Sequence, residues 1–127
     1  MREKLSYETL RKIGYQGYLL ENGSEKVLQF GEGNFLRAFA DCFLDCVNEK
    51  TGWNGKAVVV QPRGSGFSEI INRQNGLYTL YLKGVEKGRP VEHRRIISAI
   101  SRCLNPEKEF EQVLEAAAGE ELELIIT

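Results

Sequence analysis

The residues best placed to do chemistry lie in one stretch, KVLQFGEGNFLRAFADCFLD, residues 26–45. Gly31 and Gly33, separated by Glu32, end an apolar run at 27–30, and a helical pattern begins at once at Asn34. A glycine at 31 can take the backbone angles of a tight turn. A glycine at 33 carries no Cβ, so an anion can approach the main chain. The N–H groups of the first helical turn then face that anion, and the helix dipole adds to the attraction. The expected chemistry is the cradling of a phosphate group, such as the pyrophosphate of a dinucleotide. In the dinucleotide fingerprint a third glycine serves close packing of helix on strand. Leu36 stands at that place here. It costs close approach but leaves the phosphate-facing amides in position. Arg37 is placed to pair with phosphate or with Asp41.

A second glycine pair, Gly64 and Gly66, follows the apolar run 57–62. It is the weaker candidate for a pyrophosphate, and its location suits an adenosine-side contact. A dinucleotide site usually has an acid at the end of the second strand to hold the ribose 2′-hydroxyl. That place reads Gln61-Pro62-Arg63. Gln61 can hydrogen-bond a ribose and Arg63 can accept a 2′-phosphate, so chemistry alone leaves NAD and NADP both open. The candidate cofactor-binding residues are Gln29, Phe30, Gly31, Glu32, Gly33, Asn34, Phe35, Leu36 and Arg37, joined by Gln61 and Arg63. A Gly-x-Gly at a strand end also serves as a plain structural turn, and that reading stays beside the cradle.

The elements that would position these residues can be read from periodicity. VLQF, 27–30, is a short strand. From Asn34 to about Asn48 the pattern is helical, with Phe35, Phe39, Cys42, Phe43 and Cys46 on one face. Arg37, Asp41 and Asp45 form a narrow polar stripe at i, i+4 spacing. So broad an apolar face implies a largely buried helix packed on a sheet. Cys42 and Cys46, one turn apart, read as small hydrophobes on that buried face rather than as a metal pair, because the chain has a single histidine. AVVVQP, 57–62, is a β-branched run of buried parallel type. Residues 27–61 therefore form a βαβ unit, with a right-handed crossover.

Further along, 64–76 is a Gly-rich loop with about one helical turn. Runs 77–84 and 91–101 are expected to pair as an antiparallel hairpin about a turn near Lys87-Gly88. Asn105-Pro106 starts a helix that ends at Gly119. Run 122–127 is a last strand, and the chain stops inside or just after it. The fold class expected is α/β: a Rossmann-like, mostly parallel sheet with helices on both faces, an antiparallel hairpin insertion, and only part of a domain. Residues 1–25 are expected to be a helical arm, and 26–127 the first part of a Rossmann-type NAD-binding domain in a longer protein. The chain's 127 residues suffice for one core. With 17 basic and 18 acidic residues there is no field to favour nucleic acid or an anionic membrane. Three cysteines, an odd count, fit a reducing cytoplasm better than a disulfide framework.

Gly31, Gly33, Phe35, Arg37 and Phe39 match a GxGxFxRxF pattern, and the chain resembles the polyol-specific long-chain dehydrogenases, the mannitol dehydrogenase family. LQFGEGNFLRAFAD most resembles its tagaturonate-reducing, altronate oxidoreductase branch. NGLYTLYLKG and RRIISAISRCLNPEKEFEQVL look like that family's hairpin and following helix. The resemblance implies an NAD-dependent oxidoreductase that reduces tagaturonate to altronate with NADH in hexuronate catabolism. The alternatives are the mannitol-1-phosphate dehydrogenase and fructuronate reductase branches, or a nucleotide-binding module without chemistry. The resemblance further implies that the catalytic lysine, its polar partners and the sugar-acid site lie in a separate helical domain. No matching lysine motif occurs here, so no catalytic residue is named and this segment alone is expected to be inactive. An unpaired sheet edge makes self-association of the chain an expectation.

Overall fold

The computed structural model describes residues 4–64 and 66–127. Residues 1–3 of the expected arm and Ser65 of the expected Gly-rich loop lie outside the described residues.

Four strands form one parallel sheet: β1 (Ser24–Phe30), β2 (Gly55–Val60), β5 (Ile100–Leu104) and β6 (Leu124–Ile126), in the order β5-β2-β1-β6. Leu28 pairs with Val58 and with Ile125, and Val59 pairs with Cys103. All six positions of β2 are buried, and its Val58–Val60 run suits a central parallel strand covered on both faces. Alternate residues feed two cores. Val27, Ala57, Val59, Ile100 and Cys103 face one side, with Ile71 of α3 (Phe67–Arg73) and with Leu44 of α2 (Asp41–Thr51). Leu28, Val58, Val60 and Leu104 face the other, against Val113 of α4 (Pro106–Ala117). Each buried Val, Leu or Ile side chain among them contributes about 1.5–3 kcal/mol by leaving water. The chain is thus an α/β, Rossmann-like sheet with helices on both faces.

The remaining pair, β3 (Tyr78–Glu86) and β4 (Arg89–Ile97), is an antiparallel hairpin in register from Tyr78↔Ile97 to Glu86↔Arg89. Its turn is at Lys87-Gly88, as expected, and both residues take positive φ, 51° and 77°. The amino-terminal helix α1 (Tyr7–Lys12) is capped reciprocally by Ser6 and Thr9. Tyr7 and Leu10 dock it on Leu77 at the hairpin base.

Three expectations are corrected. The expected strand 91–101 is two strands, because the chain leaves the hairpin after Ile97 and joins the parallel sheet at Ile100. Ser98 marks the break: its N–H and its hydroxyl both donate to Asp45 Oδ1, at 3.0 and 2.9 Å. The Gly-rich loop holds a seven-residue helix, α3, rather than a single turn. The face of the first long helix is inverted. Asp41, Asp45 and Asn48 are buried, whereas Phe35, Phe39 and Phe43 are 72%, 52% and 56% exposed. Each of these buried residues has at least one hydrogen-bond partner in the fold, Asp41 through its Oδ2 from Gln29. Asp45 receives Ser98 and Arg95 Nε, and Asn48 pairs through both amide atoms with the main chain of Gly55. A π-helical segment, Leu36–Ala40, precedes α2. Its wider turn shifts the angular phase that a period of 3.6 residues assumes.

Candidate functional site

The Gly31–Gly33 turn stands at the carboxyl end of β1, between β2 and β6, where parallel α/β sheets place their ligands. Gly31 has φ +113°, a conformation side chains rarely adopt, and a Cβ there would come within 3.2 Å of Leu36 Cδ1. Leu36 therefore packs on the turn itself. Gly33 differs: its φ lies outside the glycine region, and a Cβ would meet nothing within 4 Å. Nothing among the described residues requires glycine at 33. The open space above it is what an external group pressed against the main chain would fill.

The amide of Gly31 donates to Val60 O at 3.0 Å and that of Arg37 to Gly33 O at 3.1 Å. Between them, the amides of Glu32, Gly33, Asn34, Phe35 and Leu36 meet no acceptor among the described residues. They lie at the start of the helical run, where the positive end of the dipole reinforces them. Such a set can bind an anion of pyrophosphate size by main-chain donors alone.

Beneath the turn is a polar brace. Gln29 is fully buried, and its Nε2 donates to Gly31 O (3.1 Å) and to Asp41 Oδ2 (3.3 Å). Gln29 Oε1 and Asp41 Oδ1 meet no partner among the described residues. Burial pushes the Asp41 carboxyl up to about 6, against the opposing pull of Gln29 and Arg37. Arg37 Nη2 donates to Asn34 Oδ1 (2.5 Å), and its guanidinium lies over the Phe67 ring at 4.9 Å. Tyr78 Oη donates to Arg37 O at 2.6 Å, and burial holds that hydroxyl protonated. Phe30 is half-exposed at the strand end and Phe35 projects outward.

The second strand end is built differently. Gln61 is buried, and its Oε1 accepts from Ser68 N at 2.8 Å, capping the first turn of α3. Arg63 projects into solvent and pairs with Glu107 at 3.4 Å. The sequence offers Asp41 only as a partner for Arg37, which pairs instead with Asn34 and Phe67, and it gives no role to Phe67 or Tyr78. The i, i+4 spacing of Arg37 and Asp41 was the only signal of this group. No group of three or more His, Cys, Asp or Glu side chains suited to a metal occurs among the described residues. No helix among them is long and apolar enough to cross a membrane.

The family described as the mannitol dehydrogenase Rossmann domain matches residues 25–127. The chain belongs to the mannitol dehydrogenase family. Altronate oxidoreductase of Bacillus subtilis (strain 168) is 48% identical over 103 residues, 81% of this chain and 22% of the relative. That of Halalkalibacterium halodurans is 37% identical over 126 residues, 98% of this chain and 25% of the relative. Among solved structures, the ternary complex of Pseudomonas fluorescens mannitol 2-dehydrogenase with NAD and D-mannitol superposes with a TM-score of 0.81. It shares 22% identity and covers 98% of this chain and 26% of that one. A D-sorbitol dehydrogenase gives 0.75, also at 22% identity, over 95% of this chain and 26% of that one. The chain thus spans about a quarter of the length of these relatives and solved structures.

Proposed function

We propose that residues 26–127 bind the pyrophosphate of NAD(H) as the first part of a Rossmann domain, and that residues 1–25 are an arm packed on it. The whole protein would be an altronate oxidoreductase that reduces tagaturonate with NADH. The run of unengaged amides from Glu32 to Leu36, beneath the open space at Gly33, carries the reading. The 48% and 37% identity to the B. subtilis and H. halodurans altronate oxidoreductases supports this branch over other polyol and sugar-acid branches.

Bound NADH supplies the hydride. The role of this chain's residues is to seat the cofactor and hold the turn rigid. The Glu32–Leu36 amides take the phosphates, Gln29 fixes the Gly31 carbonyl away from them, and Arg37 ties the turn to Phe67. The Arg63–Glu107 pair supports NAD over NADP, because Glu107 already neutralises the arginine and opposes a 2′-phosphate there. Phe30 and Asn34 frame the mouth of this site.

Titration of NADH by fluorescence tests the cradle. Wild-type chain should bind, and Gly33→Val should weaken binding at least about tenfold, roughly 1.4 kcal/mol, with unchanged thermal stability. A folded wild type that does not bind NADH refutes this role. Turnover of tagaturonate, compared with fructuronate and mannitol 1-phosphate, tests the substrate on the full-length polypeptide. The exposed Phe35–Phe39–Phe43 stripe and the half-exposed Leu124 and Ile125 of β6 support self-association of this chain. Sedimentation velocity should show a concentration-dependent shift that Phe39→Glu reduces.

A further inference from the structure

A polar cavity of about 770 Å³ opens at the opposite end of the sheet, where the strands begin. β1 is seven residues long, so this cavity lies about 20 Å from the Gly31 turn. Its walls come from α1, from the turn before β1, from the end of α3 and from the start of β5. Lys56 lines it, although the residue is only 3% exposed. Nζ donates to Tyr7 Oη at 3.0 Å and to Leu20 O at 2.8 Å. An ammonium has three donors, and the third meets no acceptor among the described residues.

The charges around it set the ligand's chemistry. Arg11 is paired with Glu21, and Arg102 with Glu25. Lys56 has no carboxylate within ion-pairing distance, so it is the cavity's one uncompensated cation among the described residues. Burial pulls its pKa down to about 8, partly offset by the charges of Asp45, Glu21 and Glu25, so it remains charged at neutral pH. A single cation in a wall that also holds Glu8 and Glu21, themselves paired with Lys12 and Arg11, suits a monovalent anion better than a dianion. Neutral groups complete the wall. Asn75 Oδ1 accepts from Tyr7 N, which leaves its Nδ2 as a donor, and the carboxylates are acceptors for hydroxyl groups. The volume is that of a small-molecule site rather than of a lone ion.

We infer that this cavity binds a small hydroxylated monocarboxylate, its carboxylate on Lys56 and Asn75 and its hydroxyls on the glutamate rim. The inference is independent of the cofactor reading, because no residue is shared between the two sites.

The probe is D-gluconate, titrated into the 127-residue chain and followed by amide chemical shifts. Saturable shifts at Tyr7, Lys56 and Asn75, with little change at Gly31–Leu36, are expected. D-glucitol, which lacks the charge, and inorganic phosphate should each bind about tenfold more weakly or worse. Lys56→Met, which keeps the apolar stem, should abolish the response. Should that variant fail to fold, Asn75→Gly decides, since it preserves the positive φ of 58° while removing the amide; gluconate should then bind more weakly with Lys56 intact. The idea is overturned by an absence of saturable shifts in folded wild type. It is also overturned by shifts centred on Gly31, by phosphate binding as well as gluconate, or by unchanged gluconate affinity in both variants.

Discussion

Two buried glutamines stand at the carboxyl ends of neighbouring parallel strands and act with opposite polarity. Gln29, near the end of β1, uses its amide N–H to hold the carbonyl of Gly31. Gln61, just past β2, uses its amide oxygen to receive the N–H of Ser68. The first arrangement fixes the turn while leaving the donors from Glu32 to Leu36 unengaged. The second engages a first-turn donor of α3 within the protein. Both ends read as strand, glycine, helix, yet one presents donors outward and the other satisfies one of them itself. A Gly-x-Gly motif therefore does not define an anion site; the destination of the neighbouring amides does.

The largest effect should come from the brace beneath the first turn. The unfolded Asp41 carboxyl releases its proton near the ordinary value of 3.8, whereas burial pushes the native one up to about 6. Between those values the native state binds more protons, so stability falls as pH rises through the window and the penalty is complete above it. Asp41→Asn keeps an acceptor for Gln29 Nε2 and adds a donor to a pair whose Oε1 and Oδ1 both lack one. It should raise stability at neutral pH by on the order of 2–3 kcal/mol and have little effect near pH 4. Urea unfolding across that range checks it. A pH-independent effect of the substitution would mean that Asp41 is ionised in the fold at no cost, and the contrast between the two braces would vanish.

Next in size is Gly31→Ala. A non-glycine residue at φ +113° is strained, and its Cβ would press on Leu36 at 3.2 Å. A loss of about 1–3 kcal/mol is expected, together with weaker NADH binding as the turn shifts. Gly33 is the control, since its replacement is silent for stability in the absence of ligand. Equal destabilisation at 31 and 33 would erase the distinction between a glycine needed by the fold and one needed by a ligand.

Much of this was legible in the residue order. The β-branched run 57–60, the Asn105-Pro106 start and the Lys87-Gly88 turn each have a local physical cause, and each forms where that cause dictates. The Gly31–Gly33 turn was legible for the same reason, because turn glycines and helix starts are local. The orientation of α2 was not. Its apolar face follows the helical period, but Asp41, Asp45 and Asn48 are drawn inward by Gln29, Ser98 and Gly55. Ser98 is 53 residues from Asp45 in the chain, and no window of sequence contains that pair. The same long-range bond ends β4 and frees Ile100–Leu104 to join β2, which is why one apolar run became two strands.

The smallest effect tests the second brace. Gln61→Leu keeps the volume and the burial but removes the acceptor of Ser68 N–H. A buried first-turn donor without a partner costs about 1–2 kcal/mol, so chemical denaturation should report a loss of that order. Ser68 is itself 5% exposed, which leaves water little room to substitute. NADH affinity should fall by less than about threefold, because the β1 amides are untouched. A larger drop in affinity would place Gln61 in direct contact with the cofactor through its Nε2, and the two glutamines would then differ in partner rather than in role.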